Sequence, residues 1–251
     1  MRQRGLKLVQ FTDTHIFADA SRRLASVDTQ ASFLATRDKA LAEAGDCDLI
    51  LITGDVAAEA EHEAYTWLTQ QLAVFDAPVY CLPGNHDIGA VMQPIVNAVG
   101  WAYGGNPVVA GWHIVLLDSC VADADHGRLS EAEIARLNQA LTQHRALPTL
   151  VCLHHHPVPM VSAWMDTMQL TNREIFWSVV EQHPQVRGVL WGHVHQNFDS
   201  YRAGIRLLAS PSTCVQFAAR STNFAIDALS PGFRCLQLFA DGSIETDIVR
   251  L

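Results

Sequence analysis

Residues 49–55 read Leu49-Ile50-Leu51-Ile52-Thr53-Gly54-Asp55, an apolar run that ends on a glycine and a carboxylate. A stretch of this kind, with almost no polar alternation, is what a strand buried on both faces requires, and such strands belong to parallel sheets covered by helices. The pattern recurs. Apolar runs at 6–11, 79–82, 149–153 and 186–191 lead into Asp13-Thr14-His15, Gly84-Asn85-His86-Asp87, His154-His155-His156 and Gly192-His193-Val194-His195. Ligands of open α/β sheets gather beyond the carboxyl ends of the strands, so side chains far apart in sequence are expected to converge on one site.

Strands are predicted at 6–11, 48–53, 79–82, 113–118, 149–153 and 186–191, with helix-like segments between them. The best helix covers 130–144. Ser130 and Glu133 have capping-box spacing, and Ile134, Leu137 and Leu141 recur at helical intervals. Weaker helical patterns cover 32–44, 61–75, 88–99 and 172–183. After about Arg202 the texture changes to short apolar runs with turn signals, and Asp241-Gly242 predicts a hairpin between 235–239 and 244–249. These late strands, about 202–251, are expected to form a second sheet on the same domain. The expected fold class is therefore α/β, a four-layer α/β/β/α sandwich formed by a single domain over 1–251.

Composition narrows the function. With 26 acidic against 17 basic residues and a formal net charge of -9, the chain is a poor match for a nucleic-acid polymer. A small phosphate ester stays open, because bound cations reverse the local potential. The basic start, Met1-Arg2-Gln3-Arg4-Gly5, precedes an apolar run interrupted by Lys7 and Gln10, too short for a signal segment. No run approaches the roughly 18 apolar residues of a membrane span, so the expectation is a cytoplasmic protein without a membrane partner. Six scattered cysteines without Cys-x-x-Cys spacing read as buried, reduced thiols. Nothing in the sequence assigns an oligomeric state.

The strand-end clusters carry the chemistry. Asp13 and His15 flank one residue and can point the same way from an extended segment. Asp55 follows a glycine that lets the chain turn sharply, although Asp after Gly is also an ordinary turn or helix cap. Two imidazoles at 193 and 195 are a poor choice for a core and a good pair of metal ligands. Imidazole, carboxylate and amide without thiolate suit Mn, Fe, Zn or Co better than a structural zinc. Seven candidate ligands exceed one tetrahedral centre and suffice for two metals if a carboxylate bridges. Such a pair can generate a hydroxide nucleophile for phosphoryl transfer.

In order along the chain, Asp-x-His, Gly-Asp, Gly-Asn-His-Asp, a histidine near Pro157 and Gly-His-x-His make up the pattern of the calcineurin-like metallophosphoesterases, which the chain resembles. Leu116-Leu117-Asp118-Ser119, His126-Gly127-Arg128-Leu129-Ser130 and Pro211-Ser212-Thr213-Cys214-Val215-Gln216-Phe217 are similar to the bacterial class III cyclic nucleotide phosphodiesterases. The resemblance implies a binuclear-metal hydrolase of 3′,5′-cyclic AMP that yields 5′-AMP through a metal-bound hydroxide. It implies two divalent or mixed-valence ions, Fe, Mn or Zn, with Asp13, His15, Asp55 and His195 on one and Asp55, Asn85, His154 and His193 on the other. The triplet departs from the more usual His-His-Pro-Pro, with His156 in place of the first proline; this aligns the ligand with His154 and leaves His155 as the alternative. His86 is implied to be catalytic, beside the phosphate, with Asp87 orienting it. Substrate contacts are expected from His15, Asp55, Asn85, His86 and His195, and from His126 on the loop before the 130–144 helix.

Trp164, Met165 and Met168 can wall a base pocket, helped by Thr213-Cys214-Val215-Gln216, or can simply be packing. Cys214 as a nucleophile and Asp118-Ser119 as part of a hydrolase triad are disfavoured, since the first has no assignable histidine and Gly-x-Ser-x-Gly is absent. Two rival functions stand beside the cyclic AMP reading. One is a broader phosphodiesterase acting on glycerophosphodiesters or other cyclic nucleotides, the other a non-catalytic nucleotide or metal sensor.

Overall fold

The computed structural model describes residues 4–251, so Met1, Arg2 and Gln3 of the basic start lie outside the described residues. The first half of the chain supplies β1 (Leu6–Phe11), α1 (Thr29–Ala44), β2 (Leu49–Thr53), α2 (His62–Leu72), β3 (Val79–Leu82), α3 (Gly89–Ala98) and β4 (Ala102–Tyr103). Its four strands lie parallel in that order. The second half supplies β5 (Val108–Val109), β6 (Trp112–Leu116), α4 (Glu131–Gln143), β7 (Thr149–Cys152), α5 (Arg173–Val180), β8 (Val186–Trp191), β9 (Phe198–Arg202) and β10 (Ile205–Ala209). These strands form a second sheet in the order β5-β6-β7-β8-β10-β9, parallel from β6 to β10. A short ribbon, β11 (Gln216–Phe217) and β12 (Ile226–Asp227), precedes the hairpin of β13 (Gly232–Leu238) and β14 (Ile244–Arg250).

The apolar strands are buried on both faces because each face meets a different layer. Val9, Phe11, Ile50 and Ile52 pack under Phe33, Tyr65 and Leu68 of the helices. From the same strands, Leu8, Leu49 and Leu51 turn the other way and meet Ile114, Leu116, Leu150, Leu190 and Leu208 of the second sheet. The outer face of that sheet, with Val151, Val189 and Trp191, is closed by Leu137, Leu141, Phe176 and Trp177 of α4 and α5. Helices, sheet, sheet and helices stack as the α/β/β/α sandwich that the alternation of strands and helices predicts.

One expectation needs correction. Residues 202–251 do not all join the second sheet: β13 pairs antiparallel with β1, Leu8 opposite Leu236, and β14 extends that first sheet at its edge. Alternation says which residues of β13 face inward, and Leu236 and Leu238 do point between the sheets. Both sheets offer an apolar inner face, so the pattern cannot choose between them. The capping box is also half formed. Ser130 Oγ accepts from the Glu133 amide at 3.1 Å, but the Glu133 carboxylate accepts from the Asp118 amide and from Arg136 instead. All six cysteines are free, and among the described residues no helix is long and apolar enough to cross a membrane.

Near the site the inter-sheet layer turns polar. Arg234 of β13, 1% exposed, donates to Ser210 Oγ at 3.0 Å, Thr246 Oγ1 at 2.9 Å, Asn197 Oδ1 at 2.9 Å and the Ala209 carbonyl at 2.6 Å. Ser210 in turn donates to Gln10, whose amide reaches Thr53 Oγ1 at 2.7 Å. The guanidinium thus ties β13 of one sheet to β10 of the other. Arg234→Met is expected to lower the unfolding free energy by about 3 kcal/mol, since several buried acceptors lose a charged donor. Urea denaturation of both proteins measures it; a change below about 1 kcal/mol would show the tie to be dispensable.

Candidate metal centre and active site

Loops from both sheets open at the same end of the sandwich. Asp13 and His15 follow β1, Asp55 follows β2, Asn85 and His86 follow β3, His154 follows β7, and His193 and His195 follow β8. Gly54 makes the convergence possible: its φ of +95° turns the chain, and a Cβ there would lie 2.3 Å from His154 Nδ1. Asp13, His15, Asp55, His193 and His195 also adopt positive φ, between 43° and 65°. Non-glycine residues enter this region at a cost, and they concentrate at functional sites where the surrounding structure over-determines them.

The side chains form two overlapping groups. Asp13, His15 and His195 offer one set of ligand atoms, and Asp55, His154 and His193 another, each set mutually within 4.8 Å; Asp55 also groups with His15 and His86. His15 Nε2 is 3.1 Å from His195 Nε2 and 3.6 Å from Asp55 Oδ2, and His195 Nε2 is 3.4 Å from Asp13 Oδ1. On the other side, His154 Nε2 is 3.3 Å from Asp55 Oδ2 and 3.2 Å from Asn85 Oδ1. Ligands held roughly 2.0–2.2 Å from a cation stand about this far from one another.

The tautomers favour a cation as well. His154 Nδ1 bonds the Thr53 carbonyl at 2.8 Å and His195 Nδ1 the Val215 carbonyl at 2.8 Å, which leaves both Nε2 lone pairs turned to the cluster. His193 Nε2 is buried without a hydrogen-bond partner. The His193 amide donates to both Asp13 oxygens at 2.9 and 3.0 Å, and the His86 amide to Asp55 Oδ1 at 2.9 Å, so both carboxylates are held in place. Burial works to raise the Asp55 carboxyl, yet His154, His15 and His86 hold it well below its usual range. Burial likewise opposes protonation of His154, and Asp55 overrides it, raising the imidazole to about 9. At His15 burial prevails over Asp55 and lowers the ring to about 3. A buried cluster of carboxylate oxygens and imidazole nitrogens this dense is suited to a dinuclear metal site.

The histidine triplet separates by contact. His154 enters the cluster, whereas His155 Nδ1 bonds Ser119 Oγ at 2.8 Å and His156 lies 3.6 Å from Asp166 Oδ1. Asp87 does not orient His86. Its carboxylate accepts from the amides of Val56, Ala57 and Gly84 and from the Tyr65 hydroxyl, pinning the Asp55 loop to the Asn85 loop, while His86 Nδ1 bonds the Ala58 carbonyl at 2.9 Å. Burial, with the Asp55 charge, raises the Asp87 carboxyl to about 6 against those amide bonds.

A cavity of about 260 Å³ opens on the cluster, lined by His15, Asp55, Asn85, His86, His193 and His195 among others. Asp125 lines it; His126, the next residue, does not. Trp164, Met165, Met168 and Val215 do line it, whereas the Cys214 thiol, raised to about 12 by burial, contacts Ser212 Oγ and the Asp13 carbonyl. Sequence reasoning missed Phe217, which stacks on His195 at 4.0 Å between ring centres and 10° between planes. No spacing rule marks an aromatic 22 residues beyond its partner.

The calcineurin-like phosphoesterase family profile matches residues 6–197. The chain is 38% identical to the 3′,5′-cyclic adenosine monophosphate phosphodiesterase CpdA of Vibrio vulnificus, over 100% of this chain and 92% of that one. With the CpdA of Pseudomonas aeruginosa the identity is 40%, over 97% and 89%. Among solved structures, a dimetal phosphatase from Danio rerio superposes with a TM-score of 0.68 at 14% identity, covering 99% of both chains, a likeness of fold. The order of the strand-end clusters, the two-sheet sandwich and the extent of these matches agree: the chain belongs to the calcineurin-like phosphoesterase family.

Proposed function

We propose that this protein hydrolyses 3′,5′-cyclic AMP to 5′-AMP at a centre of two metal ions. Asp13, His15, Asp55 and His195 hold one ion, and Asp55, Asn85, His154 and His193 hold the other; Fe, Mn and Zn suit these donors. The observation that carries this reading is Asp55, in reach of His15 on one side and of His154 and His193 on the other. The relatives named for cyclic AMP hydrolysis, matched over nearly the whole chain, support the substrate. When bound, the two ions supply Lewis-acid charge and a nucleophile at neutral pH.

The residues themselves do the rest. Asn85 and His86 border the phosphate's place in the cavity. With its Nδ1 held by the Ala58 carbonyl, His86 keeps Nε2 free to carry the proton for the departing 3′ oxygen. The substrate is a small phosphodiester, a reading supported by the net charge of -9, which disfavours a polyanionic polymer. The same proposal takes residues 1–251 as one domain, supported by the core shared between the sheets, and places it in the cytoplasm, supported by six unbridged cysteines.

The test loads the protein with Mn or Fe and compares turnover of cyclic AMP, glycerophosphocholine and bis(p-nitrophenyl) phosphate alongside elemental analysis. Two ions per chain and the highest kcat/KM on cyclic AMP are expected. If cyclic AMP is the slowest of the three, the substrate assignment is wrong.

A further inference from the structure

We infer that the end of the cavity remote from the metal cluster is a stacking slot for the planar base of a nucleoside phosphate, with Phe224 as its outer wall. The inference rests on the phosphodiesterase reading above. Trp164, Phe217 and Phe224 pack mutually edge to face, with ring centres 5.2 to 5.5 Å apart and planes at 69° to 83°. Phe217 in turn stacks on His195, so one continuous aromatic surface runs from the metal cluster outward. All three rings line the cavity, together with Leu24 and Ala25.

Three observations point to a ligand there. Phe224 is 58% exposed although it lines a cavity, so its ring is held in water without protein to cover it. The indole Nε1 of Trp164 is buried without a hydrogen-bond partner, and an acceptor on the edge of a heteroaromatic ring would satisfy it. Leu24 and Ala25 belong to a tight turn in which Leu24 and Val27 exchange amide–carbonyl bonds at 3.0 and 2.8 Å, with Ala25 and Ser26 at φ of +46° and +72°. That turn type favours Asn and Gly at its two central positions, and strain of this kind is typical of ligand clamps.

The slot is built on restrained loops. Ser162 Oγ donates to the Ser221 carbonyl at 2.7 Å, tying the Trp164 loop to the Phe224 loop. One end of the cavity therefore presents phosphate chemistry and the other an apolar aromatic face, a division that fits a nucleotide better than a glycerol ester.

The test is Phe224→Ser, with Phe224→Tyr as the conservative control, since this exposed side chain can change without opening the core. The readouts are kcat and KM on cyclic AMP and the inhibition constants of 5′-AMP and of base-free ribose 5-phosphate. Stacking lost from a base predicts a KM for cyclic AMP roughly tenfold higher in the serine variant, with the change in KM rather than kcat. The 5′-AMP inhibition constant should rise in parallel, that of ribose 5-phosphate should not, and tyrosine should restore both. A serine variant within twofold of wild type on 5′-AMP overturns the slot, and so does equal weakening of both inhibitors. If the wild-type protein cleaves bis(p-nitrophenyl) phosphate but not cyclic AMP, the functional proposal fails. The slot is then judged by the two inhibitors against that turnover.

Discussion

Asp55→Ala is expected to lower kcat/KM by roughly four orders of magnitude, about 5 kcal/mol of transition-state stabilisation, and to leave fewer than two metal ions per chain. Asp55 is the carboxylate on which the two ligand groups overlap. It also accepts the His86 amide, so its loss frees the loop that carries Asn85 and His86. His154, raised to about 9 chiefly through the Asp55 charge acting against burial, would be left as a buried imidazole without its counter-charge. Asp55→Asn separates these effects. The amide keeps an oxygen for the His86 N–H but cannot supply the charge, so metal content should fall while the loop stays ordered. Full activity with a normal metal content in either variant would remove Asp55 from the centre.

His86→Ala is expected to behave differently, with two ions per chain retained and kcat reduced by about two to three orders of magnitude, the usual weight of a positioned proton donor. The ring lines the cavity and is anchored through Nδ1 to the Ala58 carbonyl. A substrate with a good leaving group, such as bis(p-nitrophenyl) phosphate, needs less protonation of the departing oxygen and should lose less. An equal loss on both substrates would point to a binding role for His86 and against proton transfer.

The fold and the position of the site were legible because their signals are local. A strand covered on both faces must be apolar throughout, and charged or imidazole side chains at its end cannot be core residues, so β2 running into Gly54 and Asp55 declares itself. What escaped depends on partners distant in sequence. The hairpin of β13 and β14 alternates correctly for either sheet, and only the pairing of Leu236 with Leu8 decides. Asp87 reads as a companion of His86 because it is adjacent, yet its carboxylate is taken up by amides some thirty residues earlier. Asp125 rather than His126 lines the cavity, a choice between adjacent loop residues that no periodicity marks. Phe217 and Phe224 became legible only once β11 and the loop after it were seen to carry them to His195 and Trp164.

The left-handed backbone at Asp13, His15, Asp55, His193 and His195 bears on how this protein responds to selection. Each such residue costs of order 1 kcal/mol or more relative to a relaxed conformation, and glycine relieves that cost at every one of these positions. Ranked by melting temperature alone, variants with glycine at 15 or 193 would therefore gain backbone ease at the moment they lose an imidazole. Backbone ease and chemistry pull in opposite directions at these five positions, so a descendant selected for thermostability keeps its function only if they are excluded from the search.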